Sequence, residues 1–106
     1  MIKPIYNDDA EAAVLGSIML DPERVLPICH ENSVSDEHFY NPCHREIFQC
    51  AMRMESENRP IDILTLTNRL RSDGLIERAG GASLIERCVE VVPTAAHAEY
   101  WIEILC

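Results

Sequence analysis

Apolar residues recur along this chain at the spacings of three and four that mark one face of an α-helix, and no run shows the strict alternation of a half-buried strand. The first helical run begins near Asp8, where Asp8-Asp9-Ala10-Glu11 supplies an acidic first turn and the Asp8-to-Glu11 spacing of a capping box. Ala10, Ala13, Val14, Ser17 and Ile18 share one face of it, whereas Ala12, Leu15 and Met19 occupy the opposite side, with no charge after Glu11. A helix apolar on both sides is either central in the core or shared with another surface.

Asp21-Pro22, a cap followed by proline at the first helical position, predicts a second helix through Val25, Leu26 and Ile28. Pro27 lies deep within it, which predicts that this segment is short, kinked or starts later. Glu31 to Asp36 reads as a loop, after which Ser35 caps one turn that presents Phe39 and Tyr40. Asn41-Pro42 repeats the cap-and-proline device and opens the strongest helix, to about Glu57, with Cys43, His44, Ile47, Phe48, Cys50, Ala51, Met52 and Met54 on one wide arc.

Asn58-Arg59-Pro60 breaks that helix, and Asp62 caps the next, whose Ile63, Leu66, Thr67 and Leu70 face inward until Gly74 ends it beside Leu75. Gly80-Gly81 makes a turn into a helix carrying Leu84, Ile85, Cys88, Val89 and Val92 on one side, which Pro93 terminates. Thr94 caps the last helix, in which Ala95, Ala98, Trp101, Ile102 and Leu105 form one apolar face and His97, Tyr100 and Ile104 a second. The helical period is still running at Cys106, so the expectation is a fragment of a longer chain. The predicted architecture is a single all-α domain over residues 1–106, a compact bundle of five to seven short helices.

With 47% hydrophobic and 25% charged residues, the 106-residue chain has a globular composition, which excludes intrinsic disorder. The longest uninterrupted apolar stretch, Ala12 to Leu15, falls far short of a membrane span or of a signal-peptide core. Eighteen acidic residues against nine basic ones give a net charge of −9, which repels phosphate backbones and argues against direct nucleic-acid binding. Five cysteines without a Cys-x-x-Cys pair fit reduced thiols and predict a cytoplasmic protein.

Candidate chemistry is sparse. The four glycines form no Gly-Lys-Ser/Thr loop, so no nucleotide phosphate is cradled here. Cys29, His30, His38, Cys43, His44 and Cys50 are zinc-ligand types, but they lack the tight paired knuckle of structural zinc sites, and Cys43 and Cys50 read better as small core hydrophobes. Cys43 and His44, as helix neighbours, point about 100° apart and cannot act as a nucleophile–base pair. Asp8, Asp9, Glu11, Asp36 and Glu37 are explained by the attraction of helix N-termini for acids, and Asp62 by capping. Arg69, Arg71 and Arg78 stand near Asp73 and Glu77 and read as a mixed-charge solvated face. The sequence therefore predicts no catalytic, cofactor-binding or metal-ligating residue; a small zinc domain is the outlying alternative.

Five motifs stand in a characteristic order: Asp9-Ala10-Glu11 through Val14-Leu15-Gly16-Ser17-Ile18-Met19-Leu20-Asp21; His38-Phe39-Tyr40-Asn41-Pro42-Cys43-His44-Arg45-Glu46-Ile47-Phe48; Arg59-Pro60-Ile61-Asp62-Ile63-Leu64-Thr65-Leu66; Gly74-Leu75-Ile76 through Gly80-Gly81-Ala82; and Pro93-Thr94-Ala95-Ala96 with Tyr100 and Ile104. From about Asn7 to Leu105 the series resembles the N-terminal domain of replicative DNA helicases of the DnaB type. His97 stands where that family usually has asparagine, and Pro27 falls in a helix that is commonly continuous there. The resemblance implies a helical head in a hexameric collar of paired subunits, with primase and helicase loaders as partners. ATP and magnesium belong, on the same resemblance, to a separate motor domain.

The surplus apolar positions, Leu15 and Met19 on the first helix and Tyr100 and Ile104 on the last, are the candidate protein-interface residues. The alternative is that a compact bundle buries both sides of these helices. A free-standing adaptor with the same head fold, acting on a helicase or primase in trans, is the second functional reading.

Overall fold

The computed structural model describes residues 7–106, and its helices begin where short polar side chains capture free backbone N–H groups. Asn7 accepts from the Ala10 N–H at 3.0 Å and opens α1, Asp8–Leu20. Asp21 caps α2, Pro22–Glu31; Asn41 accepts from the Cys43 N–H at 2.9 Å and opens α3, Pro42–Ser56. Asp62 and Thr65 form a reciprocal capping box at the start of α4, Ile63–Ser72. Gly80, at a φ of 88°, leads into α5, Gly81–Glu90, and Thr94 caps a 3₁₀ turn, Ala95–His97, that runs into α6, Ala98–Leu105. A further 3₁₀ turn, Asp36–His38, lies between α2 and α3 with Ser35 as its cap.

These six helices, with no strand among the described residues, match the predicted bundle. The end of α4 shows how the glycines work. Gly74, at a φ of 72°, donates to the Arg71 carbonyl at 3.1 Å while Leu75 donates to the Leu70 carbonyl at 2.8 Å, a double closure that also places Leu75 against the core.

Two local expectations change. Asn7, not Asp8, caps α1, and Glu11 faces inward rather than completing a capping box. Pro27 neither shortens nor delays α2, which runs unbroken from Pro22 to Glu31. The lost hydrogen bond would have gone to the Glu23 carbonyl, and both Glu23 and Pro27 are exposed, so the missing donor falls on the solvent side rather than in the core.

Helix α1 is the axis of the fold. Every residue from Ala10 to Met19 is buried, and α5, α6, α3 and α2 all pack on it. This explains a helix that is apolar on both faces: it has neighbours on both. Gly16 sits midway along it, where an added Cβ would lie 2.0 Å from the Cys88 carbonyl oxygen of α5, so its missing side chain is what allows α1 and α5 to approach. Around this axis Phe39, Ile47, Leu66, Leu70, Ile85 and Ile102 complete one continuous core.

Candidate functional site

Two features stand apart from ordinary packing: a buried polar cluster between α1 and α3, and an exposed apolar strip on α6. The cluster is built on Glu11, fully buried in α1. Its carboxylate accepts from the Tyr40 N–H at 2.9 Å and from the Asn41 N–H at 3.2 Å, and meets His44 Nδ1, also fully buried, at 2.9 Å. Asp8 continues the network at the surface, accepting from Asn41 Nδ2 at 3.0 Å and facing Arg87 of α5 at 3.4 Å. His44 Nδ1 and the Glu11 carboxyl thus share a hydrogen bond inside the core, and His44 Nε2 is left buried without a partner.

Asp8, Glu11 and His44 are the one group among the described residues whose ligand atoms come close enough to hold a metal ion, all within 4.8 Å of one another. Their hydrogen bonds answer the chemistry differently. Both Glu11 oxygens already accept backbone N–H groups, and both Asp8 oxygens face nitrogen donors, one of them on the cationic Arg87. A cation here would meet converging N–H dipoles and a guanidinium. The arrangement is therefore a tie that fastens α1 to the turn entering α3, joining two of the sequence motifs.

The other zinc-ligand types are not gathered with it. Among the described residues, Cys29, His30, His38, Cys43 and Cys50 join no group of three potential ligands. His30 faces the Glu55 carboxylate at 2.8 Å, His38 Nδ1 accepts from the Ser35 N–H at 3.0 Å, and Cys50 packs on Met54. Arg69 is held by Glu57 through two bonds of 2.9 Å and by Asp73 at 3.0 Å, as a mixed-charge face requires. That pairing draws the exposed Glu57 carboxyl below its ordinary value.

Burial also decides the thiols. Desolvation pushes Cys29 and Cys88 up from 9.0 to about 12, and raises Cys50. At pH 8 a thiol with that value is ionised to roughly one part in ten thousand, so Cys29 and Cys88 are expected to resist a thiol-labelling reagent in the folded chain, as is Cys50 by its burial, with all five cysteines reacting in denaturant. The linked stability runs the same way. Above pH 9 the unfolded chain releases thiol protons that the folded chain keeps to about pH 12, so stability falls with rising pH by about 1.4 kcal/mol per unit for each of the two thiols. Urea unfolding at pH 8 and pH 10 checks the sign.

The four interface candidates separate into two pairs. Leu15 and Met19 are 1% and 4% exposed, so they take no part in the surface: α1 is covered on both sides by its own chain. Tyr100 and Ile104 are 60% and 37% exposed on α6. Ala98 and Ile102 turn inward from the same helix, while Trp101 is half-buried, its ring centroid 5.0 Å from that of Tyr100 in an edge-to-face contact. The apolar strip on α6 thus stands on an aromatic anchored in the core. Among the described residues, Leu20, Tyr40, Leu64 and Val91 are the other exposed large apolar residues, each on a different element or loop.

No helix among the described residues is long and apolar enough to cross a membrane. Residues 3–106 match the model of the DnaB-like helicase N terminal domain. Over 102 residues the chain is 34% identical to the replicative DNA helicase DnaB of Geobacillus stearothermophilus, covering 96% of this chain and 22% of that protein. It is 35% identical to the replicative DNA helicase DnaC of Bacillus subtilis (strain 168), with the same coverage of 96% and 22%. The fold superposes on the crystal structure of the N-terminal domain of DnaB helicase from Mycobacterium tuberculosis with a TM-score of 0.88 at 29% identity, covering 97% of this chain and 70% of that one. The chain spans about a fifth of the length of these two helicases. With its helix order, its cap-and-proline turns and the joined motifs of α1 and α3, the chain belongs to the DnaB-like helicase N-terminal domain family.

Proposed function

We propose that this domain works by protein–protein contact within a replicative helicase, helping paired N-terminal domains to hold a hexameric collar and offering primase or a helicase loader a docking face centred on Tyr100 and Ile104. In that reading the domain has no chemistry of its own. The parent protein unwinds DNA in the cytoplasm with a motor domain that uses ATP and magnesium.

The observation that carries the reading is the α6 strip. A tyrosine and an isoleucine are held out to solvent on one helix face and backed by a half-buried tryptophan, the composition that dominates binding energy when water is excluded. The net charge of −9 works against incidental DNA binding by the same surface. In the full-length parent helicase, the double change Tyr100→Ala and Ile104→Ala is expected to weaken primase binding about tenfold or more, the loss typical of truncating central anchors. Unchanged primase binding together with unchanged hexamers would overturn the assignment.

A further inference from the structure

The charges around the α6 strip say which kind of partner it takes. Tyr100 and Ile104 lie four residues apart on one side of α6, with His97 at its N-terminal cap three residues before Tyr100, and the charged residues of that helix are both acidic, Glu99 and Glu103. Arg24 of α2 reaches Glu99 at 3.4 Å, whereas Glu103 has no ion-pair partner among the described residues.

Most arginines among the described residues are committed. Arg24, Arg53, Arg59, Arg69 and Arg87 pair with carboxylates of their own chain, and Arg45 donates to the Phe39 and Tyr40 carbonyls. The remaining arginines, Arg71 and Arg78, lie on α4 and the turn that follows it, whereas α6 packs against α1 and α2. An approaching partner therefore meets an apolar strip beside the uncompensated Glu103 carboxylate and the Arg24-paired Glu99, on a body whose overall field is negative.

We infer that the α6 face binds a basic amphipathic helix, one whose apolar stripe covers Tyr100 and Ile104 while flanking lysine or arginine side chains meet Glu103 and Glu99. This rests on the docking role proposed above and specifies the partner's chemistry. Apolar burial supplies the affinity, and the complementary charges raise the association rate and set the orientation.

Trp101, the single tryptophan of the chain, lies beside the strip and reports on it directly. The probe is a synthetic helical peptide of about 18 residues with a leucine stripe flanked by lysines, long enough to form a helix on binding. Its control carries glutamates in place of the lysines. Titrating the 106-residue chain with the lysine peptide is expected to change Trp101 emission, and the glutamate peptide is expected to leave it unchanged. The affinity is expected to fall about tenfold in the Tyr100→Ala/Ile104→Ala double variant, to fall several-fold in Glu103→Gln, and to weaken with salt.

Equal responses to the two peptides, or full affinity in the double variant, would overturn the inference. So would self-association of the chain lost in the double variant, because a second copy would then own the face. Failure of the lysine peptide with primase binding still sensitive to the double change removes the charge assignment alone. Loss of that sensitivity in the parent removes the docking role itself.

Discussion

Gly16→Ala is expected to destabilise this domain by about 4 kcal/mol, although in an ordinary helix interior the same change stabilises by up to about 1 kcal/mol. The sign reverses because α1 and α5 meet at Gly16. The new methyl carbon would fall 2.0 Å from the Cys88 oxygen, 2.8 Å from the Cys88 carbonyl carbon and 2.9 Å from Val92 Cγ2. The nearest obstacles are backbone atoms, which cannot swing aside as a flexible side chain does. Relief requires the two helices to separate, and α1 is buried from Ala10 to Met19, so separation opens space at its other contacts as well. In a domain of this size the loss corresponds to a melting temperature lowered by about 20 °C. A melting temperature that stays level or rises would show that α1 and α5 do not approach as described.

Glu11→Ala is expected to cost about 3 to 5 kcal/mol, the range for removing one partner of a buried ionic network. The loss comes from what remains: the part-buried Tyr40 and Asn41 N–H groups would lose the carboxylate they donate to, and the fully buried His44 Nδ1 would lose its partner. Glu11→Gln separates shape from charge. It keeps one oxygen for one or two of the donors but turns an NH₂ group towards the others, for an expected loss of about 2 kcal/mol. Urea unfolding of the two variants checks both magnitude and order. A loss below about 1 kcal/mol in Glu11→Ala would mean that the tie between α1 and the α3 entry adds nothing net.

How much of this was legible in the sequence varies with the range of the interaction concerned. The starts of α2, α3 and α4 were readable at Asp21-Pro22, Asn41-Pro42 and Asp62, because a cap acts on backbone groups two or three residues away. Gly74 and Thr94 were readable for the same reason. The inward faces of α3 and α4 also followed from period alone.

What escaped depends on distant partners. An acid in the first turn of a helix has a sufficient local explanation, so nothing near Glu11 marks it as buried; its donors lie 29 to 33 residues away. Leu15 and Met19 were ambiguous because periodicity reveals which positions are apolar and not how many neighbours a helix has. Gly16 offered one signal, a glycine inside a strongly helical run, which points to close backbone approach. Of the four interface candidates only Tyr100 and Ile104 lie on the surface, on a helix packed from one side and therefore truly two-faced.

The division of labour between α1 as internal support and α6 as outward face is tested most directly by urea unfolding of Leu15→Ala beside the Tyr100→Ala/Ile104→Ala double variant, both in the 106-residue chain. Leu15→Ala is expected to lose about 3 kcal/mol through the cavity it leaves, and the surface pair less than about 1 kcal/mol. The reverse order, with Leu15→Ala harmless and the α6 pair unfolding the chain, would contradict it.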